Sequence, residues 1–288
     1  MLKRNLVSLL ILVSLIASAC SSVGPSSTTV LPTQTLISDP NNGEGRISAP
    51  AVSSPFFHED FKNTPALEDL FSSDGSRWHG IQLQPESNLI TLTDEQAHTG
   101  STAIKFIAQP YNGSQASKAD IYVGELGLLN GDEVWSEMWV YLSGSWDTTN
   151  LFLWDLEATK TCFLLQCQSP GRRLYFYGPN GGWLKSDLGK WYRGEDFLQS
   201  SGEETTFPKN IWVRLRVYLY LSPEQNGVIR VWQDNYLVLD AAGITLPTAD
   251  AIYDRLEVGI TANGNKMNEI TLYLDDISIW DQDPGWSY

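Results

Sequence analysis

The sequence is poor in the residues that staple or metallate small domains. Its 288 residues hold three cysteines, three histidines and three methionines. Three cysteines cannot build a disulfide framework, and His58, His79 and His98 show no metal-ligand spacing with them, which excludes zinc-finger chemistry. Positive charge is also scarce. Lys and Arg number 19 against 34 Asp and Glu, for a formal charge of −15. That balance excludes nucleic acid or an anionic membrane surface as a general partner. Long apolar runs are nearly absent. The only one covers residues 6–16, well short of the roughly 20 residues needed to cross a bilayer.

What is present at the start is a basic pair, Lys3 and Arg4, then that apolar run, then Ala17, Ser18, Ala19 and Cys20. A basic start, a short apolar stretch and small residues before a break mark a secretion signal. The small residues before Cys20 resemble a bacterial lipobox, with Ala17 where Leu is usual. The resemblance implies cleavage before Cys20, lipidation of its thiol, and a chain exported and anchored by lipid to the bacterial cell membrane or outer membrane. Losing residues 1–19 removes Lys3 and Arg4 and no acid, which leaves about −17. Residues 20–55, rich in Ser, Thr and Pro, carry no apolar period and read as a disordered tether. A flexible chain of that length reaches on the order of 30 Å. Residues 56–288 then suit one folded domain. In an oxidising compartment Cys162 and Cys167 are expected to form a local disulfide.

The folded region alternates with period two and shows almost no helical period. In residues 211–221, Ile211, Val213, Leu215, Val217, Leu219 and Leu221 point one way, while Trp212, Arg214, Arg216, Tyr218 and Tyr220 point the other. In residues 134–142, Val134, Met138, Val140 and Leu142 face inward, and Trp135, Glu137, Trp139 and Tyr141 outward. Further strands are expected at 56–61, 88–93, 101–108, 119–123, 151–158, 173–177, 228–233, 236–240, 255–261 and 269–280. Asn-Gly turn signals separate several of them, with Asn226-Gly227 the strongest hairpin signal. Residues 178–208 alternate weakly and read as long loops. So many strands at this spacing predict an all-β fold, a two-sheet antiparallel jelly-roll sandwich.

Three stretches carry a family likeness: residues 99–106 (TGSTAIKF), residues 210–215 (NIWVRL) continuing to 227–232 (GVIRVW), and residues 271–279 (TLYLDDISI). Together they resemble the concanavalin A-like jelly roll, and within it the polysaccharide lyases of the heparin lyase I, glucuronan lyase and alginate lyase type. The resemblance implies two curved antiparallel sheets with a sugar chain in the concave groove. Lyases of this kind need a cation or amide to neutralise the uronate carboxylate and a base for its C5 proton. Lys118 falls where their first motif has Arg, residues 153–155 lack the expected Gln and His, and Thr261 stands in place of Tyr. Glucanases of the same superfamily place Glu-x-Asp-x-Glu along one strand. Asp155 and Glu157 match its last two carboxylates, and Leu153 takes the place of the nucleophile. Glu59 near the domain start and Asp276 near its end resemble the paired termini of carbohydrate-binding jelly rolls, where a structural Ca²⁺ is often held. No other cofactor is required.

Between Lys160 and Arg193, six basic residues (Lys160, Arg172, Arg173, Lys185, Lys190 and Arg193) face a single acid, Asp187. Aromatic rings interleave with them. Rings stack on apolar sugar faces, and Arg forks bind carboxylates at two points. Trp139, Arg173, Tyr175, Tyr177, Trp183, Trp191, Arg214, Arg216 and Tyr218 are therefore expected to line a groove for a polysaccharide, one rich in uronic acid. The leading expectation is a surface-anchored, monomeric binding protein whose only membrane contact is its lipid. A lyase would draw its chemistry from Tyr175, Tyr177, Tyr218 and Arg214. An adhesion protein with a protein partner is the third reading.

Overall fold

The computed structural model describes residues 53–72, 76–110, 116–158, 170–189, 196–265 and 267–286, together with the backbone of 162–163 and 166–167. The chain divides into Met1–Ser48 and Ala49–Tyr288, and every described residue belongs to the second unit. Cys20 and Trp191 lie outside the described residues.

Sixteen strands follow one another: β1 (Phe57–Glu59), β2 (Gly80–Gln84), β3 (Leu89–Thr93), β4 (Ala103–Ala108), β5 (Ser117–Val123), β6 (Glu133–Ser143), β7 (Leu151–Glu157), β8 (Cys162–Phe163), β9 (Gln166–Cys167), β10 (Gly171–Tyr177), β11 (Trp183–Asp187), β12 (Trp212–Tyr220), β13 (Gly227–Gln233), β14 (Tyr236–Gly243), β15 (Arg255–Asn263) and β16 (Ile270–Trp280). An eight-stranded sheet runs β14-β13-β12-β6-β16-β4-β3, with β1 also paired to β16. A six-stranded sheet runs β11-β10-β7-β15-β5-β2. The ladders within both sheets are antiparallel. This is the predicted sandwich.

Alternation sets the core. Val213, Leu215, Val217 and Leu219 of β12, and Val134, Met138, Val140 and Leu142 of β6, are buried between the sheets. From the other sheet they meet Ala119 and Ile121 of β5, Leu153, Trp154 and Leu156 of β7, Leu174 and Phe176 of β10, and Val258 and Ile260 of β15. The Trp154 indole donates to Ser136 Oγ at 3.1 Å, which satisfies its one polar atom inside the core. Burying such a large apolar side chain contributes about 1.5–3 kcal/mol.

The structure differs from the sequence expectation in four places. Residues 80–84 and 183–187 form strands. The second, β11, lies in the segment read as loops, and it gains its order by pairing with β10 and through a bridge between Ser186 and Phe197. Residues 162–163 and 166–167 form a small hairpin with Cys162 opposite Cys167, and their side chains lie outside the description. The β12–β13 connection is longer than a two-residue Asn-Gly turn. Gly227 answers a different need, because a Cβ there would lie 2.3 Å from Thr245 Oγ1 and 2.5 Å from the Gly243 carbonyl oxygen. The tight hairpin is β13–β14, where Asp234 (φ 54°) and Asn235 connect Gln233 to its partner Tyr236.

Candidate functional site on the six-stranded sheet

On the outward face of the six-stranded sheet, strand periodicity presents a row of polar and aromatic side chains. β10 contributes Arg173, Tyr175 and Tyr177, while Leu174 and Phe176 go to the core. β11 contributes Trp183, Lys185 and Asp187. Strand register places Lys185 beside Tyr175, and Asp187 beside Arg173. Arg173 donates to both Asp187 oxygens, at 2.8 and 2.7 Å, a two-point pair that fixes the guanidinium. The Lys185 ammonium lies 4.6 Å from the centre of the Tyr175 ring, and it also binds Asp196 at 2.8 Å. Burial pushes the Tyr175 phenol up, Lys185 pulls it down, and burial wins. Burial pulls the Lys185 ammonium down, but Asp196 and Tyr175 outweigh this and hold it above the ordinary lysine range.

β7 departs from strict alternation. Leu174 pairs with Trp154 and the next residue, Tyr175, pairs with Phe152, so Leu153 is the extra residue of a bulge. Leu153 and Trp154 both enter the core. Phe152 is thereby turned onto the same face as Asp155 and Glu157, where it stacks on Tyr175 at 4.3 Å. Leu153 therefore does not occupy a vacant nucleophile position on this face. The third carboxylate comes from the neighbouring strand, as Glu257 of β15 pairs with Asp155. Lys118 and Asp120 of β5 complete the patch. Lys118 binds Glu257 at 3.4 Å and Gln82 at 3.1 Å, and Arg255 reaches both Glu157 and Glu257. Asp120, Asp155 and Glu257 are all pushed up, first by burial and then by one another's charge and that of Glu157. Gly171 makes room for this arrangement. A Cβ there would lie 2.5 Å from the Leu156 carbonyl oxygen and 2.6 Å from Asp155 Oδ1. A cavity of about 460 Å³ opens on this face, lined among others by Lys118, Phe152, Asp155, Glu157, Arg173 and Thr261.

The predicted groove residues divide between two opposite surfaces. Arg173, Tyr175, Tyr177 and Trp183 lie on this face. Trp139, Arg214, Arg216 and Tyr218 lie on the outward face of the eight-stranded sheet, because β6 and β12 are neighbours there, and they cannot join the same groove. Their rings and charges are already engaged. Trp139 stacks on His98 at 3.6 Å, and Arg214 donates to Asn235 at 2.6 Å. Arg216 pairs with Glu137 at 2.5 Å and covers the Trp286 ring. Tyr218 packs on Trp135 at 4.1 Å and donates to Glu133 at 3.2 Å, an environment that pushes its phenol up to about 12 through burial and the Glu133 charge. Arg172, counted with the basic cluster, turns into the interior, where it stacks on Phe197 and donates to the Ile244 carbonyl.

Glu59 and Asp276, the expected ligands of a structural Ca²⁺, hold protein donors in this structure. The two ends of the domain do pair, with Glu59 opposite Ile277. Their carboxylates, however, are taken by protein donors: Glu59 by the Phe61 amide and Arg77, and Asp276 by Thr99, His98 and Lys62. Among the described residues, the carboxylates that close on one another as cation ligands would are Asp155, Glu157 and Glu257. Sequence reasoning named Tyr175 and Arg173 but missed Phe152, Asp120 and Glu257. An outward-facing acid flanked by two core residues, as in Ala119-Asp120-Ile121, was the available signal.

Comparison with known proteins gives a family and a fold. A family model described as polysaccharide lyase matches residues 72–278. The endo-β-1,4-glucuronan lyase of the fungus Trichoderma reesei superposes with a TM-score of 0.58 at 15% identity, covering 81% of this chain and 100% of that one. A cellulose-induced protein gives 0.54 at 14% identity, covering 78% and 97%. A variant of the alginate lyase Aly36B bound to an alginate trisaccharide gives 0.52 at 13% identity, covering 81% and 100%. No curated protein sequence matches.

Proposed function

Because the chain belongs to the polysaccharide lyase family, we propose that it is an exported lyase cleaving a uronic-acid polymer by β-elimination on the outward face of its six-stranded sheet. The observation that carries this reading is the Lys185–Tyr175 pair beside Arg173 and the cavity. Lys185 and Arg173 supply positive charge for the substrate carboxylate, which acidifies the adjacent C5 proton. Tyr175, ionised, takes that proton. The C5–H electron pair forms the C4–C5 double bond, the C4–O4 bond breaks, and the leaving O4 recovers the proton from the Tyr175 hydroxyl. One group thus serves as base and then acid. Phe152, Tyr177 and Trp183 offer ring faces on which neighbouring sugars stack.

Binding without turnover is the second reading, favoured by the missing Gln, His and Tyr of the alginate-lyase motifs. Export and anchoring through Cys20 belong to the first reading, and they rest on the basic start and the small residues before that cysteine. Labelled fatty acid incorporated by the native chain and lost in Cys20→Ser would support them, and no incorporation would overturn them.

The test of function is incubation of the protein with glucuronan, alginate and neutral polysaccharides. It is followed by the ultraviolet absorbance of unsaturated uronate and by retention in an affinity gel. New absorbance on a uronate polymer supports the lyase. Retardation with neither absorbance nor new reducing ends makes the protein a binder. Neither signal turns the reading toward a protein partner.

A further inference from the structure

The acidic patch beside the cavity is unbalanced. Asp120, Asp155, Glu157, Glu257 and Asp187 are five carboxylates, and the cations set among them are three: Lys118, Arg173 and Arg255. Asp120 and Glu257 are fully buried, and Asp155 and Glu157 nearly so. Uncompensated charge in such surroundings is costly. Of twelve buried side-chain atoms without a hydrogen-bond partner among the described residues, four are oxygens of this patch and a fifth is Arg255 Nε beside them. The four are both Asp120 oxygens, Asp155 Oδ1 and Thr261 Oγ1. Buried polar atoms are satisfied in the great majority of proteins, so four orphaned oxygens in one patch point to an absent ligand.

We infer that this patch binds one divalent cation of the calcium class, held by Asp155, Glu157 and Glu257 with Asp120 and Thr261 beside them. One oxygen from each of the three carboxylates lies within 4.8 Å of the others; the Arg255 guanidinium bridges Glu157 and Glu257 there, with Lys118 and Gln82 on Glu257, so the ion enters by displacing Arg255 from between them. The donor atoms are all oxygen, carboxylate or hydroxyl, with no sulfur or imidazole nitrogen in the group, which selects a hard cation over zinc or copper. A charge of +2 cancels the excess of two carboxylates. Asp120 is the independent sign. It belongs to a different strand from the other three, it is fully buried, and its charge is felt by Glu257 and Glu157 across the same face. Asp155 and Glu157 open on the cavity, which gives the ion a route in and leaves it a position for water or substrate oxygen. Where the lyase reading holds, which this last step rests on, the ion also converts an acidic floor into one that accepts a polyanion.

The test is calorimetric titration of calcium chloride into the full chain stripped with a chelator, with thermal unfolding measured alongside. The expected result is one ion per chain and a higher Tm. Asp120→Asn and Glu257→Gln are each expected to weaken affinity by about tenfold or more. Asp240→Asn, an exposed acid on the other sheet, should leave affinity unchanged. Folded variants are selected by circular dichroism, and the native chain decides alone if neither variant folds. No heat and no change of Tm in the native chain would overturn the site, as would unaltered affinity in both variants. Calcium binding without cleavage of any uronate polymer would sustain the site and remove the lyase. Cleavage indifferent to chelation, with no calcium heat, would remove the site and sustain the lyase.

Discussion

The two outward faces of the sandwich are built from the same alphabet of Trp, Tyr and Arg, and they use it in opposite ways. On the eight-stranded sheet the aromatic rings close on one another. Trp286, from the C-terminal segment, sits edge-on to Trp135, Trp232 and Trp280 at 5.1, 5.8 and 5.8 Å, beneath Arg216. On the six-stranded sheet the rings pair off beside a cavity, Phe152 with Tyr175 at 4.3 Å and Tyr177 with Trp183 at 5.5 Å, and the charges are arranged around buried carboxylates. Both faces leave buried polar atoms without partners among the described residues, but on the eight-stranded sheet these are two nitrogens, Trp135 Nε1 and Arg214 Nε, whereas on the six-stranded sheet four are carboxylate and hydroxyl oxygens around a cavity. An exposed-looking stripe of Tyr and Arg in a strand is therefore weak evidence of a binding surface. Unsatisfied polar atoms in a depression are stronger evidence.

The sharpest way to break that contrast is to remove the same atom from each face. Tyr175→Phe should lower kcat on a uronate polymer by about 10² to 10⁴, the range of acid–base catalysis. Tyr218→Phe should leave kcat within about twofold, since its hydroxyl is engaged by Glu133 on the opposite surface. Initial rates from the ultraviolet absorbance of the product measure both. Equal losses would erase the distinction between the faces.

The next effect is on pH dependence. Tyr175 faces Lys185 and Asp187 from β11 and Asp196 from the following segment, with Arg173 on its own strand. Burial and the two acids raise its phenol while Lys185 lowers it, so the base form is scarce at neutral pH. The rate should therefore rise about tenfold per pH unit through the neutral and mildly alkaline range. Lys185→Met removes the ammonium that favours the phenolate, and should shift this limb to higher pH. A flat profile, or an unshifted limb in the variant, would assign the base elsewhere.

Much of the fold was legible because the apolar face of each long strand follows period two without interruption. The Val213-to-Leu219 series placed β12 in one core before any pairing was known. Which strands share a sheet was not legible, because that depends on contacts between residues far apart in the chain, such as β12 against β6 and β7 against β15. This is why Arg173 and Arg214 were assigned to a single groove. The β7 bulge was hidden for a local reason: Leu153 and Trp154 are both apolar, so the extra residue leaves no break in hydrophobicity while reversing the face of Phe152. Asp120 and Glu257 were not legible as site residues, because alternation reports the side of a strand and not its depth.

Gly171 tests the packing of the site at a smaller scale. Alanine there must displace backbone, since its Cβ would meet the Leu156 carbonyl oxygen at 2.5 Å and the Glu157 Cα at 3.0 Å. The expected cost is about 1–3 kcal/mol in denaturant unfolding, with reduced activity because Asp155 is displaced with it. Unchanged stability would mean that β7 and β10 can separate more easily than their register suggests.

The smallest effect belongs to the closed face. Trp286→Ala removes the half-buried ring that Trp135, Trp232 and Trp280 surround and that Arg216 covers. Edge-to-face pairs contribute about 0.5–1.5 kcal/mol each, and the C-terminal segment can relax toward solvent, so a total loss of about 1–2 kcal/mol is expected. The proposed cleavage of a uronate polymer should not change in rate, because nothing in this cluster reaches β10 or β11. Urea unfolding and initial rates on one preparation measure both quantities. A loss of activity without a loss of stability would place part of the functional surface on the eight-stranded sheet, and the aromatic cluster would then be a second sugar contact that Trp286 covers.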